Sequence, residues 1–143
     1  MLRRAIFVLA FAACCTAAGD PSGDPAGEVL DLFTNVAASL SAGSVSQFMA
    51  AFDSAMPGYA QLRDNVTALI AQGDIQSFID PVENEGTETR RAVEWKWKLR
   101  IKRLQDPTAS DVREENVKAQ VEKRAGKWRI TQFEPVSFFA PAK

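Results

Sequence analysis

The chain has 143 residues, 46% of them hydrophobic and 24% charged, with a formal net charge of −1. These values suit one globular domain with a sizeable core, and they give nucleic acid no broad basic surface to bind. There is no histidine, which excludes histidine general-base catalysis and histidine metal ligation.

The first eighteen residues read as an export leader. Arg3 and Arg4 precede an apolar run from Ala5 to Ala13, shorter than the roughly 20 residues that span a bilayer but suited to a signal-peptide core. Two cleavage sites compete. Thr16-Ala17-Ala18 before Gly19 is a small-residue site for ordinary secretion, whereas Phe11-Ala12-Ala13-Cys14 is similar to a bacterial lipobox and would make Cys14 the lipidated first residue. Membrane contact is then expected only through that lipid. Both cysteines, Cys14 and Cys15, fall in this segment, so the domain that follows has no disulfide, thiol nucleophile or cysteine-based metal site. Residues 19–27, rich in Asp, Pro and Gly, read as a flexible linker.

The domain proper is expected over 28–143. From Glu28 the apolar residues Val29, Leu32, Phe33, Val36 and Leu40 recur at helical spacing, and Gly43 marks the end. Ser44 and Gln47 have capping-box spacing for a second helix, with Val45, Phe48, Met49 and Phe52 as its stripe and Pro57-Gly58 as its break. A third helix runs from Tyr59, with Leu62, Val66, Leu69 and Ile70 on one face, to Gly73. Asn65-Val66-Thr67 matches the glycosylation pattern but lies inside this helix and is read as chance.

After Gly73 the period changes from helix to strand. Ile75 to Val82 reads as a first strand, with Pro81 pointing to an edge or a bulge, and Asn84-Glu85-Gly86 as the turn. Arg91 to Leu104 alternates strictly, Val93, Trp95, Trp97, Leu99 and Ile101 on one face and Glu94, Lys96, Lys98, Arg100 and Lys102 on the other. That is a long strand with one buried and one solvated face. Val112 to Arg124 alternates again, and Ala125-Gly126 reads as a tight hairpin. The last strand, Lys127 to Phe139, puts Trp128 and Ile130 on one side; Phe133 breaks that parity and predicts a bulge near Thr131 and Gln132.

Three amino-terminal helices packed on a curved four-stranded antiparallel sheet is an α+β arrangement. With Gly126-Lys127-Trp128-Arg129-Ile130 and then Phe133-Glu134-Pro135-Val136-Ser137-Phe138-Phe139, it resembles the nuclear transport factor 2-like superfamily, including its SnoaL-like branches. The chain departs from that pattern where only Pro57-Gly58 separates the second and third helices. The resemblance implies a cone-shaped fold whose open end Phe48, Phe52, Tyr59, Trp95, Trp97, Trp128, Phe133 and Phe138 would line as a pocket for a small apolar ligand; the alternative is that these residues fill the core. It also implies that self-association through the sheet face, as a homodimer, is open to the chain.

Enzymes of this superfamily use an Asp-His pair, impossible here, or an aspartate base with a tyrosine donor. Asp53 and Tyr59, the sole tyrosine, are the candidates for an isomerase- or cyclase-type reaction, and the reading leans against it. Asp53 should point away from the apolar stripe near a helix end, where water keeps a carboxylate an ordinary acid. Glu83, Glu85 and Glu88 lack the spacing of a calcium loop, so no metal is expected. No cofactor is expected either. The row Lys96, Lys98, Arg100, Lys102 and Arg103, with Lys118 and Arg129 alongside, could meet acidic partners or anionic headgroups, unless Glu114, Glu115 and Glu122 neutralise it across the strands. The expected function is that of an exported, non-catalytic domain binding a small apolar ligand or a protein partner in the cell envelope.

Overall fold

The structure, a computed structural model, describes residues 24–142; the leader, Cys14 and residues 19–23 of the linker lie outside them. In chain order come α1 (Pro25–Ser41), α2 (Val45–Met49), α3 (Tyr59–Gln72), β1 (Gly73–Gly86), β2 (Arg90–Arg103), β3 (Ser110–Arg124), β4 (Lys127–Glu134) and a 3-10 turn (Val136–Phe139). The four strands form one antiparallel sheet in the order β1-β2-β3-β4. The helices cover its inner face.

Helix α1 begins at Pro25, inside the stretch expected to be linker. Proline suits a first turn because its missing N–H would have no partner there, and the Glu28 amide closes that turn on the Asp24 carbonyl at 3.0 Å. The other end follows the expectation at Gly43, whose φ of 71° lets Gly43 and Ser44 donate back to the Leu40 and Ser39 carbonyls. Ser44 Oγ accepts from the Gln47 amide at 3.3 Å, so the expected cap forms. The helix it starts, however, stops at Met49. Ala51–Asp53 leave it to lie along the free edge of β4, where Ile130 N–H donates to the Ala51 carbonyl and Asp53 N–H to the Ile130 carbonyl, both at 2.8 Å. An unpaired strand edge needs partners, and here they outweigh another turn of helix.

Strand β1 is longer than expected, running to Gly86, so the turn falls on 87–89 rather than on Asn84-Glu85-Gly86. Thr87 Oγ1 accepts from the Arg90 amide at 3.0 Å and holds that turn. The register slips between Pro81 and Glu83, a bulge at the proline on this edge strand. A second bulge leaves Thr131 unpaired, because Gln120 faces Gln132 while Val121 faces Ile130; it restores Phe133 to the inner face. β4 ends at Glu134, well before Phe139. Pro135 has no N–H for the ladder, and the chain turns back so that Phe138 and Phe139 enter the core from the 3-10 turn.

The inner face of β2 is the centre of the core. Val93, Trp95, Trp97, Leu99 and Ile101 are all buried, with Val117, Ala119 and Val121 of β3 on the same face. Phe33 of α1 packs on Trp95 and Trp97, with ring centroids 5.2 and 6.5 Å away. The returning tail is tied from three sides. Arg113 donates to the Phe138 and Ala140 carbonyls, Asn65 to the Val136 carbonyl, and the Gln72 side chain pairs with the Ala142 backbone.

Candidate functional site

Six of the eight rings expected to line a pocket sit in the dense interior. Trp97 lies 5.1–6.5 Å, centroid to centroid, from Phe133, Phe138 and Phe139, and Phe48 lies 5.2 Å from both Phe52 and Phe139. These are the offset and edge-on distances of packed aromatic side chains. Trp97 Nε1 donates to Ser77 Oγ at 2.8 Å, whereas the buried Trp95 Nε1 has no acceptor among the described residues. Phe139, outside the expected set, is fully buried at the middle of this cluster.

Trp128 and Tyr59, the other two, lie at the periphery, each beside a surface cleft. The first cleft, of about 650 Å³, lies between α1, α2 and the start of β4 and is lined by Glu28, Asp31, Gln47, Lys127, Trp128 and Arg129 among others. Glu28 Oε2 accepts from Trp128 Nε1 at 2.6 Å and pairs with Lys123 Nζ at 3.2 Å, which fixes the indole at the cleft wall. The second cleft, of about 530 Å³, is lined by Phe52, Asp53, Ser54, Tyr59, Arg124, Lys127 and Arg129. Arg129 donates to the Ala50 carbonyl at 2.6 Å, and Ala50, Lys127 and Arg129 wall both clefts.

The structure therefore brings Asp53 and Tyr59 to one open cleft. It does not make Asp53 a base suited to neutral pH. The Ala55 amide donates to Oδ1 at 2.9 Å and Arg124 Nη1 to Oδ2 at 2.7 Å, and these bonds hold the carboxyl below its usual 3.8. Arg124 also reaches Glu122 at 2.6 Å, giving a carboxylate–guanidinium–carboxylate chain in which Glu122 too is lowered and Arg124 raised. A carboxylate already ionised and twice hydrogen-bonded has little affinity for a substrate proton.

The outer face of the sheet is the other chemically distinct surface. Lys98, Arg100 and Lys102 stand in a row at one end of β2, and Lys96 pairs loosely with Glu114 at 3.6 Å. Arg103 belongs to the opposite parity and binds Asp111 at 2.9 Å, so it leaves the expected row; Arg129, turned to Ala50, leaves it as well. Of the three glutamates proposed to neutralise the row, Glu114 does so, Glu122 serves Arg90 and Arg124 instead, and Glu115 lies opposite Trp97. Phe78, opposite Lys98, and Val112, opposite Arg100, are more than half exposed. At the far end Glu83, Glu85, Glu94 and Glu134 surround Lys118 in a shallow hollow. Glu88 lies apart in the turn, and among the described residues no three acidic or sulfur ligands converge as a metal site.

Sequence reasoning passed over Ser54, Arg124 and Lys127. The one signal available was that Arg124, Lys127 and Arg129 crowd around Ala125-Gly126, where positive φ angles of 50° and 77° make a tight turn. Nothing local places Ser54 and Tyr59 opposite them.

No family model and no curated protein matches the chain. Solved structures do. A nuclear transport factor 2-like superfamily protein from Salmonella enterica serovar Typhimurium aligns at a TM-score of 0.63 and 13% identity, over 82% of this chain and 92% of that one. A provisionally named scytalone dehydratase from Novosphingobium aromaticivorans gives 0.67 and 10%, over 75% and 79%. A nuclear transport factor 2-like protein of unknown function from Shewanella oneidensis gives 0.58 and 16%, over 77% and 97%. At such identities the likeness concerns the fold and carries no activity across. Helices leading into a curved, open, four-stranded antiparallel sheet, shared with these neighbours, give the chain the nuclear transport factor 2-like fold.

Proposed function

We propose that the chain is an exported, non-catalytic binding domain that works by protein contact through the outer face of its sheet. One observation carries this reading: the interior where a small apolar ligand would sit is packed with the protein's own rings, Phe139 at their centre. Asp53, held ionised by Ala55 and Arg124, leaves the enzyme alternative without a tuned base. Phe78 and Val112 among the cations of the outer face supply apolar contact area flanked by charge, the composition of a protein-binding patch. Export rests on the leader; lipidation at Cys14 would anchor the domain, and the mass of the mature chain distinguishes it from a start at Gly19.

A second copy is the partner favoured by the charge layout. Lys98, Arg100 and Lys102 occupy one end of the face, and Glu83, Glu85, Glu94 and Glu134 the other. Two copies stacked about a twofold axis would set each basic end on the other's acidic end, the self-complementarity that an isologous interface requires. Sedimentation of the mature domain tests it: a dimer at low salt that Lys98→Glu dissociates is expected. A monomer at every concentration would remove self-pairing and leave a different protein as the partner.

A further inference from the structure

We propose that the cleft between the β3–β4 hairpin and the start of α3 is a binding seat for the phosphate group of a small ligand. Its walls hold three cations, Arg124, Lys127 and Arg129, against a single carboxylate, Asp53. Both Asp53 oxygens are already engaged, by the Ala55 amide and by Arg124. The charge of Arg124 is in turn matched by Asp53 and Glu122. The surplus charge is therefore that of Lys127 and Arg129.

Neither of these meets a carboxylate among the described residues. Arg129 spends one donor on the neutral Ala50 carbonyl and acts on the Asp53 carboxylate only from a distance, and the Lys127 side chain has no partner there. The hydroxyls of Ser54 and Tyr59, on the facing wall, are likewise without partners among the described residues. Two cations outside any ion pair, and two hydroxyls without partners among the described residues, thus line one recess of about 530 Å³. A phosphate group offers enough acceptor oxygens to engage donors from both walls, and charge-assisted hydrogen bonds to it are the strong kind. A carboxylate, with two oxygens in one plane, would leave part of that set unused.

The adjoining cleft keeps Asp31 and Glu28 on its far wall, so the seat is confined to the Tyr59 side of Arg129. A phosphorylated ligand could extend past Lys127 toward the Trp128 wall, which the two clefts' shared residues join to the seat. This site is separate from the outer sheet face, so it stands or falls independently of dimer formation.

Titration of the domain with inorganic phosphate at low ionic strength, followed by the backbone amide signals of Ser54 and of residues 124–129, tests the proposal. Saturable shifts confined to those residues are expected. Lys127→Ala should weaken binding by about tenfold, the loss of one charge-assisted hydrogen bond, and Tyr59→Phe by a smaller factor, while Lys102→Ala on the outer face leaves it unchanged. Acetate should shift the same signals without saturating over the range in which phosphate does. A non-saturating response to phosphate, an unchanged affinity in Lys127→Ala, or equal saturation by acetate would overturn the phosphate seat.

Discussion

The two faces of β2 are built from alternate residues of one segment, yet they obey different physics. On the inner face Trp95, Trp97, Leu99 and Ile101 are fully buried, and each ring is fixed by other rings. On the outer face Lys96, Lys98, Arg100 and Lys102 keep their charges in water, with one loose ion pair between Lys96 and Glu114. The inner face specifies the fold through area and shape. The outer face contributes little to stability, and for that reason it is free to carry recognition.

The largest test of that contrast is Trp97→Ala. It removes a ring that touches Phe33, Phe133, Phe138 and Phe139, and a loss of about 3–5 kcal/mol is expected in denaturant unfolding. A loss below about 1 kcal/mol would mean that the interior is loosely filled and could admit a ligand after all. A middle-sized effect is expected where the inner layer meets the rim. Asp53 and Glu122 have carboxyls lowered from 3.8 and 4.5 in the folded state. Groups so shifted stabilise the fold above their unfolded values, and that contribution is lost as pH falls through the folded ones. Asp53→Asn should therefore lower the melting temperature at pH 7 and make its decline below about pH 4 shallower. An unchanged acid limb would show that the bonds from the Ala55 amide and Arg124 do not hold the carboxyl down in solution. The smallest effect belongs to the outer face: Lys98→Ala, one position from Trp97, should change stability by less than about 0.5 kcal/mol. Losses of equal size at the two positions would erase the distinction between the faces.

The same contrast decides how much of the molecule was legible in its sequence. Period-two alternation identified the buried face of β2, and a break in parity located the Thr131 bulge. The end of α1 was legible because Gly43, with its positive φ, acts locally; at Gly73 the need for glycine comes from across the sheet, where a side chain would strike the Lys102 carbonyl. What was hidden depends on partners far away in the chain. Phe52 leaves the helical stripe because Ile130, at the edge of β4, bonds the backbone of its neighbours Ala51 and Asp53. Phe138 and Phe139 read as strand residues, yet Pro135 ends the ladder and Arg113 and Asn65 capture the tail. The two clefts were invisible for the same reason: Ser54 and Tyr59 meet Lys127 and Arg129 only once α2, α3 and the hairpin have packed. Asp53 and Tyr59 could be named as a pair, but not the guanidinium that disarms the aspartate.

The position of Phe139 has a consequence for the order in which the core closes. The ring at the middle of the aromatic cluster follows β4 in the chain, yet it meets Phe48 and Trp97, which lie far before it. Until the 3-10 turn has docked, Trp97 lacks two of its ring neighbours, Phe138 and Phe139. Contacts that span most of the sequence form late. The inner layer is therefore sealed by a segment that follows every strand of the sheet.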